Sequence, residues 1–169
     1  MTAEQALFRR IKIFTWLFII GLVISGATAI PLVSEVDVLA RIFGASDTQP
    51  QSSNAMAGWF MRVQTALHSV NDQYPFLFYG TDWLAVGHFV IAIAFSGALR
   101  DPVRNSWLFT FGIISCVLLV PYALIFGAVR GIPFWWRLID CSFGIFGMIP
   151  LFLCKRWVAE LEAQHGSGM

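Results

Sequence analysis

Four ionisable residues sit where a polar side chain is expensive: Asp82, His88, Arg137 and Asp140 all fall inside or at the edge of long apolar stretches. Within a hydrocarbon layer such groups face one another or a water-filled cavity. Two kinds of chemistry are open to them. In one, Arg137 pairs with Asp140 three residues on, or with Asp82 across a helix bundle, His88 hydrogen-bonds a carboxylate, and the network pins helices together. In the other, the four line an outward-facing polar cavity that takes a ligand with an apolar body and a polar head. His88 would then serve as acid or base, oriented by Asp140, while Arg137 neutralises an anionic group. Next to them, Arg130-Gly131-Ile132-Pro133-Phe134-Trp135-Trp136-Arg137 concentrates two arginines and three aromatics in one corner. Arg130, Arg137 and Trp136 suit an interfacial anchor, recognition of a lipid headgroup or recognition of a partner protein, while Trp83, with Phe134, Trp135 and Trp136, would wall the cavity.

Other chemistries find no support in the residues. Cys116, Cys141 and Cys154 are isolated and form no Cys-x-x-Cys, so neither a dithiol redox centre nor a zinc site is indicated. A haem held by two histidines needs a second intramembrane histidine, and His68 and His165 lie in a loop and in the tail. Ser142 and Cys141 lack a nucleophile-elbow pattern, and Gly21 and Gly26 sit in an apolar helix rather than in a phosphate loop. The sequence therefore indicates no metal, and leaves the cofactor unknown. With a net charge of +1 it offers no basic face for nucleic acid.

The elements that position these residues follow from composition. The chain is 57% hydrophobic and 12% charged, with a mean hydropathy of +0.70, far more apolar than a soluble domain of this length. Four runs reach the roughly 18 residues that a membrane-crossing helix needs, since only a helix satisfies its own backbone in lipid. They are placed at 13–33, 81–99, 106–129 and 134–154, in a single all-α domain of four transmembrane helices. Small-x-small Ala27-Thr28-Ala29 raises the alternative that the first run is a cleaved signal peptide; Ile30, Leu32 and Val33, which prolong the apolar run, speak for an intact helix.

Lys and Arg set the orientation. Arg9, Arg10, Lys12, Arg100, Arg104, Lys155 and Arg156 flank the runs on one side, and Arg41, Arg62, Arg130 and Arg137 lie on the other, where the segments are longer. The positive-inside rule then puts both termini in the cytoplasm and the 34–80 segment outside a plasma membrane. That outer segment divides into an amphipathic helix over Glu35–Phe43, a polar loop over Ala45–Asn54 and a second helix over Met56–Val70.

Small and hydroxyl residues mark the faces expected to meet other helices. They are Gly21, Ser25 and Thr28 in the first run; Thr81, Ala85, His88, Ala92 and Ser96 in the second; Gly112, Ser115, Cys116, Ala123 and Gly127 in the third; and Cys141, Gly144 and Gly147 beside Arg137, Asp140 and Met148 in the fourth. Pro121 should bend the third. At 1.5 Å per residue, His88 and Asp140 are each about 10 Å from the outer ends of their helices.

The expected partners are the lipid bilayer and an amphiphilic, quinone-like or lipid ligand, or a partner membrane subunit, with a homo-oligomer possible. A non-enzymatic binding protein is the leading reading. A small membrane enzyme using His88 with Asp140 or Asp82, and a proton-coupled carrier, are the alternatives.

Overall fold

The computed structural model describes residues 2–44 and 55–166, the side chains of 165 and 166 excepted, so the polar loop expected over 45–54 lies outside the described residues. Helices are the only regular structure among the described residues: α1 (Ala3–Ala29), α2 (Leu32–Ile42), α3 (Ala55–Gln73), a 3-10 helix (Pro75–Phe78), α4 (Tyr79–Arg100), α5 (Ser106–Val129) and α6 (Phe134–Gly166). Four segments, Ala3–Ala29, Pro75–Arg100, Ser106–Val129 and Phe134–Gln164, are long and apolar enough to cross a membrane.

Helix ends differ from the apolar runs in several places: α1 already begins at Ala3 and α4 at Tyr79, and two further differences have a clear physical reason. The first run was expected to continue to Val33, but α1 stops at Ala29. Pro31 has no N–H to extend a helix and its ring clashes with the preceding turn. Its carbonyl instead accepts Glu35 N–H at 2.9 Å, so Leu32 and Val33 open α2. At the other end, α6 continues past Cys154 to Gly166. Beyond Lys155 and Arg156 the chain is rich in Ala, Leu, Glu and Gln, all strong helix formers. Leu151, Cys154, Val158 and Leu161 are all buried at three- and four-residue intervals.

Two compact units divide the chain: Met1–Gly21 with Ile91–Met169, and Leu22–Val90. In the first, α5 and α6 form an antiparallel hairpin joined by a four-residue turn. Ile132 N–H reaches Gly127 O at 2.8 Å and Gly131 N–H reaches Ala128 O at 3.1 Å. This is a Schellman closure, and it needs the left-handed φ of +70° that Gly131 supplies. Along the hairpin Cys116 lies against Gly144 and Gly147, and Gly112 against Leu151 and Phe95. The start of α1 packs on the end of α6: Cys154 Sγ donates to Ile11 O at 3.7 Å and lies 3.8 Å from Thr15 Oγ1, while Phe14 meets Trp157 edge-on at 5.1 Å. Phe95 is fully buried between Phe18 and Phe109. The α4–α5 turn is tied by Asn105, whose Nδ2 donates to Gly97 O at 3.2 Å and Asp101 O at 2.9 Å. Pro121 and Pro150 both lie within unbroken helices.

The second unit holds the end of α1, helices α2 and α3, the 3-10 helix and the start of α4. Val36 and Ala40 of α2 and Ala57 and Phe60 of α3 are buried, and Phe43 stacks on Phe60 at 4.9 Å. The approach of α1 to α4 is made at Gly26, where an added Cβ would lie 3.0 Å from Ala85 O and 3.1 Å from His88 Cβ. This corrects the face expected for the first run. Ser25 and Thr28 are uncovered, Thr28 Oγ1 donates to Ser25 O of its own helix, and Gly21 has nothing within 4 Å of an added Cβ. The covered face of α1 is instead Leu7, Ile11, Thr15, Ile19 and Gly26. A hydroxyl bonded to its own helix's carbonyl tolerates lipid, so a small or hydroxyl side chain alone does not mark a packed face.

Candidate functional site

Arg137 stands in the first turns of α6, where Pro133 O accepts both Trp136 N–H at 3.0 Å and Arg137 N–H at 3.1 Å. Its aliphatic stem crosses to α5 over the bare backbone of Gly127: a Cβ there would lie 2.5 Å from Arg137 Cδ and 2.7 Å from Cγ. The guanidinium donates from Nη1 to Leu124 O at 3.0 Å and lies 5.2 Å from the centre of the Phe134 ring. Its Nε is buried without an acceptor. Arg137 makes no ion pair among the described residues.

The i,i+3 pairing of Arg137 with Asp140 is therefore not formed. Gly127 opens a groove on α5, and the arginine turns across the hairpin rather than along its own helix. Asp140 is half-buried and has neither a hydrogen bond nor an ion pair among the described residues. Two residues of the same helix that the sequence groups together thus remain separate polar centres. A guanidinium does not lose its proton in a protein, so its charge persists with only a neutral carbonyl and an aromatic face to answer it. Arg130 caps the end of α5, where it is uncovered, and Trp136 packs edge-on against Trp135 at 5.6 Å.

In the other unit, Asp82 occupies the first turn of α4, where a carboxylate interacts favourably with the helix dipole. Trp83 meets Tyr79 edge-on at 6.0 Å. Further along α4, His88 Nδ1 lies 2.8 Å from Leu84 O, one turn before it. A carbonyl can only accept, so Nδ1 carries the proton. In the neutral ring, Nε2 is then left with a lone pair.

Sequence reasoning missed one polar cluster altogether. Asp37 Oδ1, on α2, accepts from Gln64 Nε2 and from His68 Nε2 of α3, both at 2.8 Å. Hydrogen bonds from Gln64 and then His68 hold the Asp37 carboxyl below its ordinary pKa. His68, which the sequence places in the loop between the first two runs, is thus a helix-to-helix tie through Nε2. Gln64 and His68 stand four apart, hence on one face of α3, which is the only local sign of the cluster. No group of three or more potential metal ligands occurs among the described residues.

Comparisons with protein families, with curated proteins and with solved structures find no match to this chain.

Proposed function

We propose that this chain is a multi-pass protein of the plasma membrane, with both termini cytoplasmic, that binds the anionic head of an amphiphile at the outer corner formed by α5 and α6. The observation that carries this reading is the state of Arg137: a partly buried cation whose Nε lacks an acceptor and which has no ion pair among the described residues. Leaving a charge and a donor unanswered in an apolar setting costs several kcal/mol, and an acidic headgroup would supply both the charge and the acceptor. Phe134, on which the guanidinium rests, gives the apolar body a surface beside the polar one. Arg130 and Trp136 belong to the same corner of the sequence and are assigned to the rim of this site.

Native mass spectrometry of the detergent-purified protein tests the proposal. The wild type is expected to carry a discrete acidic amphiphile. Arg137→Gln should reduce its occupancy by about tenfold or more, the scale of one charge-assisted hydrogen bond. Arg137→Lys should fall between them, keeping the charge and losing the fork. A bare wild-type chain, or the same random ladder of lipids on all three proteins, sinks the reading.

A second reading, acid or base chemistry on a ligand of the second unit itself, is favoured by His88, because its proton on Nδ1 leaves Nε2 able to accept another. It requires that the molecule recovered with His88→Gln differ from the one recovered with the wild type, in mass or, for an isomerisation, in chromatographic retention. An identical molecule leaves a binding protein.

A further inference from the structure

The turn between α3 and α4 is an uncovered, largely apolar stretch of the second unit. From Gln73 to Thr81 there is no charged residue, and the sequence between them is Tyr74-Pro75-Phe76-Leu77-Phe78-Tyr79-Gly80. Phe76 is 70% exposed and Leu77 54%, with Tyr74, Tyr79 and Trp83 uncovered as well. Contiguous large apolar side chains of this kind mark a contact with another phase or another molecule.

Hydrogen bonds hold the backbone of this turn at both ends. Tyr74 N–H reaches Val70 O at 2.7 Å, so α3 closes directly onto the turn. Pro75 opens the 3-10 helix, where its missing N–H costs nothing, and Leu77 N–H reaches Tyr74 O at 3.0 Å. Thr81 Oγ1 donates to Phe78 O at 2.7 Å, tying the 3-10 helix to the first turn of α4. No spacer separates the two helices. The backbone at Phe76 is therefore held directly against the start of an apolar helix long enough to cross a bilayer. Tyr and Trp prefer the headgroup level, where an aromatic body meets lipid and a polar edge meets water.

We infer that the 3-10 turn, through Phe76, Leu77, Tyr79 and Trp83, is embedded in the lipid interface and sets the depth at which α4 enters the bilayer. This rests on the multi-pass reading given above. Helix geometry then places Asp82 about 5 Å and His88 about 14 Å below Tyr79. Asp82 stays within reach of headgroups, whereas His88 lies near the middle of a hydrocarbon layer about 30 Å thick.

The test uses an environment-sensitive fluorophore on single cysteines introduced at Leu77 or at Val90, in the full chain with its three native cysteines replaced, reconstituted in mixed phosphatidylcholine and phosphatidylglycerol vesicles. Val90 is 58% exposed and lies about 16 Å along α4 from Tyr79, so it reports the bilayer centre. The Leu77 label should lose most of its emission to a nitroxide carried near the lipid headgroup and little to aqueous iodide. The Val90 label should lose most to a nitroxide carried deep in the acyl chain. A Val90 label untouched by any lipid nitroxide means that α4 is not inserted, and the multi-pass reading fails with it. If Val90 is quenched from the lipid while Leu77 is quenched only by iodide, insertion stands and the embedded turn does not. Shielding of Leu77 from both quenchers would show the turn covered by protein, a second copy or a partner, and would likewise overturn the inference.

Discussion

Two helix pairs in this molecule are joined by different physics. In the α5–α6 hairpin, backbone meets backbone at glycine, and the apolar side chains around it interlock: Cys116 lies against Gly144 and Gly147, and Gly112 against Leu151. In the α2–α3 pair, two alanines and a Phe43–Phe60 stack make the apolar contact, and a carboxylate, an amide and an imidazole tie the helices together. Lipid tails are as apolar as leucine and give no drive for two apolar helices to associate, so such helices need close van der Waals fit. The mixed sequences of α2 and α3 pack more like helices of a soluble protein, for which polar ties between segments far apart in sequence are available. The first pair should therefore be sensitive to volume, and the second to charge.

The sharpest break in that contrast is a side chain at Gly144. A Cβ there would lie 2.7 Å from Cys116 O, a backbone atom that has no rotamer to escape into. Gly144→Val should destabilise the protein by about 2–3 kcal/mol, seen as a lower melting temperature in detergent. Gly21→Val, where nothing lies within 4 Å of the new Cβ, should stay within about 0.5 kcal/mol of the wild type. Equal losses from the two would mean that β-branching in a helix, rather than helix contact, sets the cost.

Gly26 sharpens the comparison with an intermediate case inside the second unit. An added methyl would meet the ring edge of Phe89 at 2.8 Å, which can swing aside, and Ala85 O at 3.0 Å, which cannot. Gly26→Ala is expected to cost about 1 kcal/mol in the same melting experiment, less than Gly144→Val because only part of the clash is with backbone. A loss as large as that of Gly144→Val would place backbone-close packing in both units.

The apolar runs were legible because length and hydropathy are properties of a continuous stretch of chain. Packing faces were less so. Gly21, Ser25 and Thr28 were chosen for side-chain type, yet Thr28 satisfies its hydroxyl on Ser25 O and needs no neighbour. The covered face of α1 carries Leu7, Ile11 and Ile19, large residues that a search for small ones passes over. Arg137 was legible as a charge in an apolar run, but its direction was not. Asp140 is near in sequence, whereas the groove that receives the arginine is made by Gly127, ten residues earlier on another helix. The tie from Asp37 to His68 spans 31 residues and includes the polar segment 45–54, so no local spacing could reveal it. Chemistry carried by one residue is readable along the chain, and chemistry that needs two helices to meet is not.

The weakest expected effect is also the one that separates charge from volume. Asp37 is ionised with its pKa lowered by the bonds from Gln64 and His68, so the folded state binds a proton there less readily than the unfolded chain does. The stabilisation of the α2–α3 pair is thus complete above the ordinary carboxylate range. It fades as pH falls below the ordinary carboxylate range and through the lowered value. Spin labels at Val38 and Thr65, both uncovered, would report the distance between the two helices. In the wild type the distance distribution should be narrow at neutral pH and broaden on acidification below that point. Asp37→Asn should be slightly broader at neutral pH, because the charge is gone while an oxygen remains for Gln64, and its acid-induced change should be lost. Identical acid broadening in both proteins would assign the response to another group, and the α2–α3 pair would then be held by its Phe43–Phe60 stack and buried alanines, leaving packing as the common rule for both units.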